Sequence, residues 1–588
     1  MATGDNSSVE GDKTRSARPV IAGFGFALAL ALVLRLIGLA DPSLSHPEIY
    51  IPGIDLPPGI SEPPPRFDFL YTLNFHFHRE PHPIGYYMGM WGWTAIFGDS
   101  HFALRFPQVL FGLASVYFIY RLATLVFSRP VGVVSALMLA MHGTHIFWSQ
   151  NARAYVPGAM FGLLATWLLL KIASDEKPKP LLCAGYVAAI VAGVQTTELI
   201  WALFGMHIGW VVLMGGGDTF SWKDFAPKRW YLWRVSRLAY LQSAALMLSL
   251  PALLHSAYGA VRGFTRDPSP TFLVEYAAFG FAFLMEAYVD LNHAMPPALP
   301  IPVAVISLIL IYVGVRAGKQ GANLSPTKRT DADIRILLLL AFVVSAAMFW
   351  MASIAENRRA LLMVMSVFPF AALALPPVAA MGRPVLKWAA PPIDQFLLRN
   401  PYAFSPVVLL AIFAPLILFA LSIVASVLAP RAFLVFTPYM LILAAAGLVH
   451  LWPRKLIFVA ATTAITAIFI TSAILGLERP NTSRDYKTIA AVTMPLIQPN
   501  DLIFIRSHDW ADTPLLYYLK TDGIVARDYA AAIKESGANR VWIFHWTDAR
   551  LKVGSDEMLV ALEGFTSTEQ AQARRAQAFL FERTDDNR

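Results

Sequence analysis

The sequence predicts an α-helical polytopic membrane protein of about thirteen transmembrane helices, with interfacial helices in its first outer loop and a small C-terminal α/β extracytoplasmic domain. Three observations lead there. Of 588 residues, 56% are hydrophobic and only 15% are charged, with a mean hydropathy of +0.52, a balance foreign to water-soluble chains. Apolar runs long enough to cross a hydrocarbon layer of ~30 Å recur along the chain. Lysines and arginines gather on alternate loops between those runs.

The expected spans lie near 19–40, 101–126, 131–148, 155–173, 181–199, 200–216, 239–258, 298–316, 335–354, 360–380, 404–428, 432–451 and 456–476. With residues 1–18 as a cytoplasmic tail, the inner loops receive clusters such as Lys177 and Lys179, Lys228 and Arg229, Lys328 and Arg329, and Arg454 and Lys455. The outer loops hold far fewer, among them Arg79, Arg153, Arg358, Arg359 and Arg431. This asymmetry is the positive-inside pattern, so the net charge of +8 reads as a topology marker and not as a nucleic-acid footprint. Residues 13–18 followed by the apolar run 20–34 and Gly38-Leu39-Ala40 also fit a cleavable signal; we read the run as the first span. The single cysteine, Cys183, excludes an internal disulfide, a multi-cysteine zinc site and a CxxC motif.

Between the spans, residues 41–100 form a long outer loop. Its prolines from Pro52 to Pro65 exclude a continuous helix. The aromatic-rich stretches 66–79 and 84–97 then read as helices lying in the interface, where aromatic rings prefer to sit. The apolar stretch 272–289 is read as an outer segment and not a span, because Glu275, Glu286 and Asp290 would be costly in lipid. The transmembrane unit is thus placed at 19–477 and the outer α/β domain at 478–588. In the latter, strand-like runs at 501–506, 540–545 and 577–582 alternate with helical patterns at 484–497, 511–520, 528–537 and 556–563. No glycine-rich phosphate loop or nucleophile elbow occurs there, so the chemistry is sought at the outer ends of the spans.

Three motifs lie on that side. Ser45-His46-Pro47-Glu48-Ile49-Tyr50 follows the first span. Arg79-Glu80-Pro81-His82-Pro83-Ile84-Gly85-Tyr86-Tyr87 opens the second interfacial stretch. Ser149-Gln150-Asn151-Ala152-Arg153-Ala154-Tyr155 follows the third span. With Phe97-Gly98-Asp99-Ser100, Ala103-Leu104-Arg105-Phe106-Pro107 and the late Pro430-Arg431-Ala432-Phe433, they resemble integral-membrane glycosyltransferases of the GT-C class. The similarity is to the bacterial branch of protein O-mannosyltransferases and lipid A aminoarabinose transferases. It is sharpest over residues 35–160. The chain departs from the family pattern at Pro47, where an Asp is usual, and at Asn151, where a Glu is usual.

The resemblance implies transfer of a hexosyl or pentosyl group from a polyprenyl-phosphate donor to a hydroxyl of an envelope acceptor: lipopolysaccharide, another glycan, a glycolipid or a protein. It places the reaction on the periplasmic face of a bacterial inner membrane, as an inverting single displacement. Such a step needs a general base for the acceptor and cationic or hydrogen-bonding stabilisation for the departing phosphate. Glu48 and Glu80 are the expected carboxylates, with Glu48 first because it matches the second member of the family's acidic pair. His82, Arg153, Arg431 and Arg358 are expected at the donor phosphate, since guanidinium forks suit phosphate oxygens. His46, Tyr86, Tyr155 and Glu198 are expected to line the substrate site. His142 and His145, at helical spacing, would form a metal site only together with Glu48 or His46, and the metal requirement is left open. Two other readings stay beside this one: a flippase or transporter for a lipid-linked sugar, and a non-catalytic subunit that binds lipid phosphate.

Overall fold

The computed structural model describes residues 7–54, 68–79, 82–175, 177–214, 237–261, 310–311, 313, 406–414, 430–478, 484–505, 512–520, 533, 537–546 and 562–584. The helices of the first part are α1 (Ser7–Leu36), α2 (His46–Ile49), α3 (Phe69–Arg79), α4 (Gly85–Phe97), α5 (His101–Val126), α6 (Arg129–Ala140), α7 (Gly143–Ser149), α8 (Tyr155–Ala173), α9 (Pro180–Val194), α10 (Leu199–Met214), α11 (Arg237–Leu248) and α12 (Leu250–Val261). Later come α13 (Thr437–His450), α14 (Lys455–Glu478), α15 (Tyr486–Thr493) and α16 (Asp512–Leu519), with strands β1 (Leu502–Ile505), β2 (Arg540–Trp546), β3 (Phe565–Ala573) and β4 (Ala576–Arg583).

Among the described residues, α5, α8 and α14 are long and apolar enough to cross a membrane, and α6 with α7 makes a fourth if the bent pair is one span. Val20–Leu36, α9, Leu199–Trp210 and α13 are shorter apolar helices. The expected spans at 335–354 and 360–380 lie outside the described residues, as do most of 298–316 and 404–428 and the segment 272–289. Two expected spans are interrupted. The run 239–258 is two short helices meeting at Ser249, two residues before Pro251, which has no N–H for the Met247 carbonyl. The run 131–148 breaks by 62° between α6 and α7.

That break leaves carbonyls of the last turn of α6 without helical partners, and a cation is suited to cover them. Arg35, fully buried near the end of α1, donates to the carbonyls of Leu139 at 3.2 Å and Ala140 at 3.0 Å, to Ser149 Oγ at 3.2 Å and to His145 Nδ1 at 3.0 Å. In return, Gln150 Nε2 donates to the carbonyl of Ile37 at 2.6 Å, past the end of α1. Where α7 meets α14, Gly143 N donates to Ser472 Oγ at 2.9 Å, and a Cβ on Gly476 would stand 2.5 Å from the Gly143 carbonyl. Only glycine permits that approach. One apolar core, with residues from α1, α5, α6, α8 to α11 and α13, holds the bundle together.

The aromatic stretches 66–79 and 84–97 form the helices α3 and α4. Pro107 inside α5 has no N–H for the Ala103 carbonyl, and Trp93 Nε1 of α4 donates to it instead at 2.8 Å. The C-terminal residues build a four-stranded sheet in the order β1-β2-β4-β3, with β1 and β2 parallel and the other pairs antiparallel. Strands β1, β2 and β4 occupy the three strand-like runs. β3 is an addition that the sequence does not advertise. The helical patterns at 484–497 and 511–520 hold α15 and α16; the one at 556–563 lies almost wholly outside the described residues, as does most of 528–537.

Candidate active site

The site is assembled where the turn after α1, the start of α5, the turn before α8 and the entry to α4 converge. Arg105 lies in the second turn of α5. A guanidinium there needs a counter-charge, because an unpaired cation at the edge of an apolar bundle loses its hydration without return. Glu48 supplies it. Arg105 Nε and Nη2 donate to the two Glu48 carboxylate oxygens at 2.9 and 3.1 Å, a fork-to-fork pair. The remaining Arg105 hydrogens reach the carbonyls of Leu39 at 3.1 Å, Pro42 at 3.0 Å and Ser43 at 3.0 Å.

Glu48 is just as fully engaged. Its oxygens also accept from Ser45 N at 2.9 Å, Ser45 Oγ at 3.0 Å and Ala152 N at 2.9 Å, and the residue is 0% exposed. Ser45 and Glu48 form a reciprocal capping box at the start of α2. Burial alone would raise the Glu48 carboxyl; the charge and hydrogen bonds of Arg105, with the Ser45 and Ala152 amides, outweigh it and hold it at about 2. These are the contacts of an anchor. The sequence expectation makes Glu48 a base; in this structure every lone pair that would take a proton is already occupied. Arg105, which the sequence placed in the family-like stretch without a role, is the partner. The signal was present: a lone arginine one turn into an apolar span implies a carboxylate nearby.

The Ala152 amide that Glu48 holds stands next to Arg153, the first of a further cluster. The Arg153 guanidinium lies over the Tyr155 ring at 5.9 Å, Trp148 meets that ring edge-on at 4.6 Å, and His82 approaches it at 6.4 Å. His82 Nδ1 is 3.5 Å from Glu198, and both side chains are 30% exposed. The entry to α4 is pinned to the turn after α9: Tyr86 N donates to the Gln195 carbonyl at 3.1 Å, and a Cβ on Gly85 would collide with Gln195 Cβ at 2.5 Å. This is why a glycine precedes the tyrosine pair. Tyr86 is buried and accepts from Gln108 Nε2 at 2.8 Å; burial pushes its phenol up, the Arg153 charge opposes this and the Glu48 charge adds to it.

The structure therefore brings His82, Tyr86, Arg153, Tyr155 and Glu198 together, with Glu48 behind them. His46, half-buried in α2, lies edge-on to Tyr50 at 4.9 Å. Glu80, Arg358 and the side chain of Arg431 lie outside the described residues. His142 and His145 are not gathered with Glu48 or His46: His142 Nδ1 accepts the His145 amide at 3.3 Å, capping α7, and His145 receives Arg35. Among the described residues no group of three His, Cys, Asp or Glu side chains is placed to hold a metal ion.

Residues 81–224 match the family model PMT_2, dolichyl-phosphate-mannose-protein mannosyltransferase. That stretch contains His82, Tyr86, Arg105, Arg153, Tyr155 and Glu198, and it sustains the resemblance of the chain to GT-C class membrane glycosyltransferases. Among solved structures, the chain is similar to ArnT from Cupriavidus metallidurans bound to undecaprenyl phosphate, with 14% identity, 94% of this chain and 97% of that chain covered, and a TM-score of 0.42. It is also similar to the oligosaccharyltransferase AglB from Archaeoglobus fulgidus in complex with an inhibitory peptide and a dolichol-phosphate, with 11% identity, 97% and 74% covered, and a TM-score of 0.43. At such identities and scores these similarities carry no residue role to this chain. No curated protein matches it by sequence.

Proposed function

We propose that the chain is a glycosyltransferase that moves a sugar from a polyprenyl-phosphate donor to a hydroxyl acceptor on the outer face of a membrane. The observation that carries the reading is the cluster of Arg153, Tyr155, His82 and Glu198 at one outer mouth of the bundle, inside the stretch that matches the mannosyltransferase family model. Arg153 binds the phosphate, and His82 donates a further hydrogen bond to it. Tyr155 and Tyr86 line the sugar side. Arg431 and Arg358 are second cations for the same phosphate, and His46 an acceptor-side contact.

In this mechanism a carboxylate takes the acceptor hydroxyl proton as the acceptor oxygen bonds to the anomeric carbon. The bond from that carbon to the phosphate oxygen breaks, and polyprenyl phosphate leaves carrying the electron pair. The displacement is single and inverts the anomeric centre. Glu48 is assigned to hold the Ala152–Arg153 turn in place, which leaves Glu80 and Glu198 as the carboxylates for the base; of these, Glu198 lies in the described cluster, half-exposed beside His82. The envelope of a bacterial cell, with the reaction on the periplasmic side of the inner membrane, is the setting this chemistry fits.

The test is transfer by the purified full chain from polyprenyl-phosphate sugars to an envelope extract, with Glu198→Gln, Glu80→Gln and Glu48→Gln compared at equal folded fraction. Loss of the base costs about 10²–10⁴-fold in rate. A loss of that size in Glu198→Gln or Glu80→Gln supports the assignment. Full activity in both, with loss confined to Glu48→Gln, returns the base to Glu48.

A further inference from the structure

The C-terminal sheet unit and the first outer loop are built into each other. Tyr50, from the loop, packs against the core of the sheet unit, while Tyr517 and Tyr518 of α16 pack against the small core made by Leu44, Ile49, Ile51, Tyr86, Leu104 and their neighbours. Such mutual insertion is what a permanent contact shows, in contrast to two surfaces that merely touch.

Polar contacts set the register. The Leu44 amide, just before the cap of α2, donates to the Tyr518 hydroxyl at 2.7 Å. The same hydroxyl is 3.0 Å from His101 Nε2, and His101 Nδ1 is 3.2 Å from the Ala40 carbonyl. One tautomer satisfies all three groups: the proton on Nδ1 goes to Ala40, and Nε2 accepts from Tyr518. Beside this, Ser43 Oγ accepts from the Lys487 amide at 3.0 Å and lies 3.3 Å from the Asp485 carboxylate that caps α15, and Tyr50 Oη is 3.3 Å from Thr513 Oγ1.

From Tyr518 the contacts run without a gap to the outer cluster. The Leu44 amide it accepts adjoins Ser45, Ser45 holds Glu48, Glu48 holds the Ala152 amide, and Ala152 adjoins Arg153. We propose that Tyr518 is a positioning residue for the outer site: the C-terminal unit clamps the first outer loop through this hydroxyl and thereby sets, through Glu48, where Arg153 stands. Resting on the transferase reading, the clamp gives the C-terminal unit a part in donor binding although it carries no chemistry of its own.

Tyr518→Phe removes one hydroxyl and keeps the packed ring. Amide hydrogen exchange of the full chain in detergent reads the clamp directly, without reference to activity. Faster exchange in peptides covering 40–50 and also 149–155, with the bundle unchanged, supports the proposal; unchanged exchange at 149–155 overturns it. Binding of undecaprenyl phosphate and the KM for donor read the consequence. Both should weaken about five- to tenfold, the scale of one hydrogen bond, when compared at equal folded fraction. A fall in active fraction with donor KM unchanged is the result of a purely structural role and overturns it as well. If wild-type chain transfers no sugar, the functional reading fails, and the exchange result still decides whether Tyr518 sets the Arg153 turn.

Discussion

Glu48 and Arg105 are each nearly or fully buried, at 0% and 2% exposure, and each is satisfied almost entirely by the other and by nearby backbone. Removing one member of such a pair strands the other charge in a medium that does not solvate it. Glu48→Gln should therefore lower stability by about 3–5 kcal/mol, read by thermal unfolding in detergent, and a second change, Arg105→Gln, should recover part of the loss. Acid should act in two stages. Burial holds His76, stacked on Tyr87 at 4.4 Å, down to about 4, so its contribution is present at neutral pH and is lost as pH falls from 6.5 through 4. Glu48 contributes above 4.5 and loses its share as pH falls toward 2. A scan of unfolding midpoint against pH should show a first decline below about 6.5, made shallower by His76→Phe, and a steeper one below about 4.5. A midpoint independent of pH over this range contradicts both assignments. At this scale the sequence pointed to His82, Tyr86, Arg153, Tyr155 and Glu198, which the structure gathers, but not to the pairing of Glu48 with Arg105. Glu48 looks like an exposed loop acid until the Arg105 span is folded against it, and contacts across tens of residues have no local signature.

At the scale of elements, helices and strands with a strong apolar period were legible, and interruptions were not. The run 131–148 is apolar throughout, yet it bends by 62°, because Arg35, from another helix, satisfies the carbonyls that the bend releases. Strand β3, Phe-Thr-Ser-Thr-Glu-Gln-Ala-Gln-Ala, has no alternating apolar face; it forms because β4 offers it an edge and a tight turn at Arg574-Arg575. The crossing of α7 and α14 is equally invisible in sequence until Gly143 and Gly476 are seen face to face. Gly476→Ala puts a methyl carbon 2.5 Å from a carbonyl oxygen, which should cost about 1–3 kcal/mol in stability, whereas alanine at Gly205, where a Cβ would meet nothing within 4 Å, should be tolerated. Equal unfolding midpoints for the two variants would contradict the close crossing.

For the whole molecule, contact between the first outer loop and the C-terminal unit fixes a parity. Ser43, Leu44 and Tyr50 contact Asp485, Tyr518 and Thr513 directly, so a membrane-spanning chain crosses an even number of times between them, whatever the number of spans. The alternation of basic loops gives the same parity independently. In a Cys183→Ser background, Asn500→Cys should react with a membrane-impermeant maleimide from the outer face of right-side-out vesicles, and Lys177→Cys only after they are opened. Both positions are exposed. Labelling of both from one side contradicts the topology. Hydropathy made a helical membrane protein legible; the site emerged only where five separated segments meet. The most direct test of the central claim follows the glycosyl–phosphate bond of a polyprenyl-phosphate sugar in vesicles carrying the purified full chain, with a hydroxyl acceptor outside. A transferase breaks that bond, releases polyprenyl phosphate and leaves the sugar on the acceptor, and Arg153→Ala slows the step at least tenfold, as expected for a lost charge-assisted contact. A donor that crosses the membrane with its glycosyl–phosphate bond intact contradicts the account.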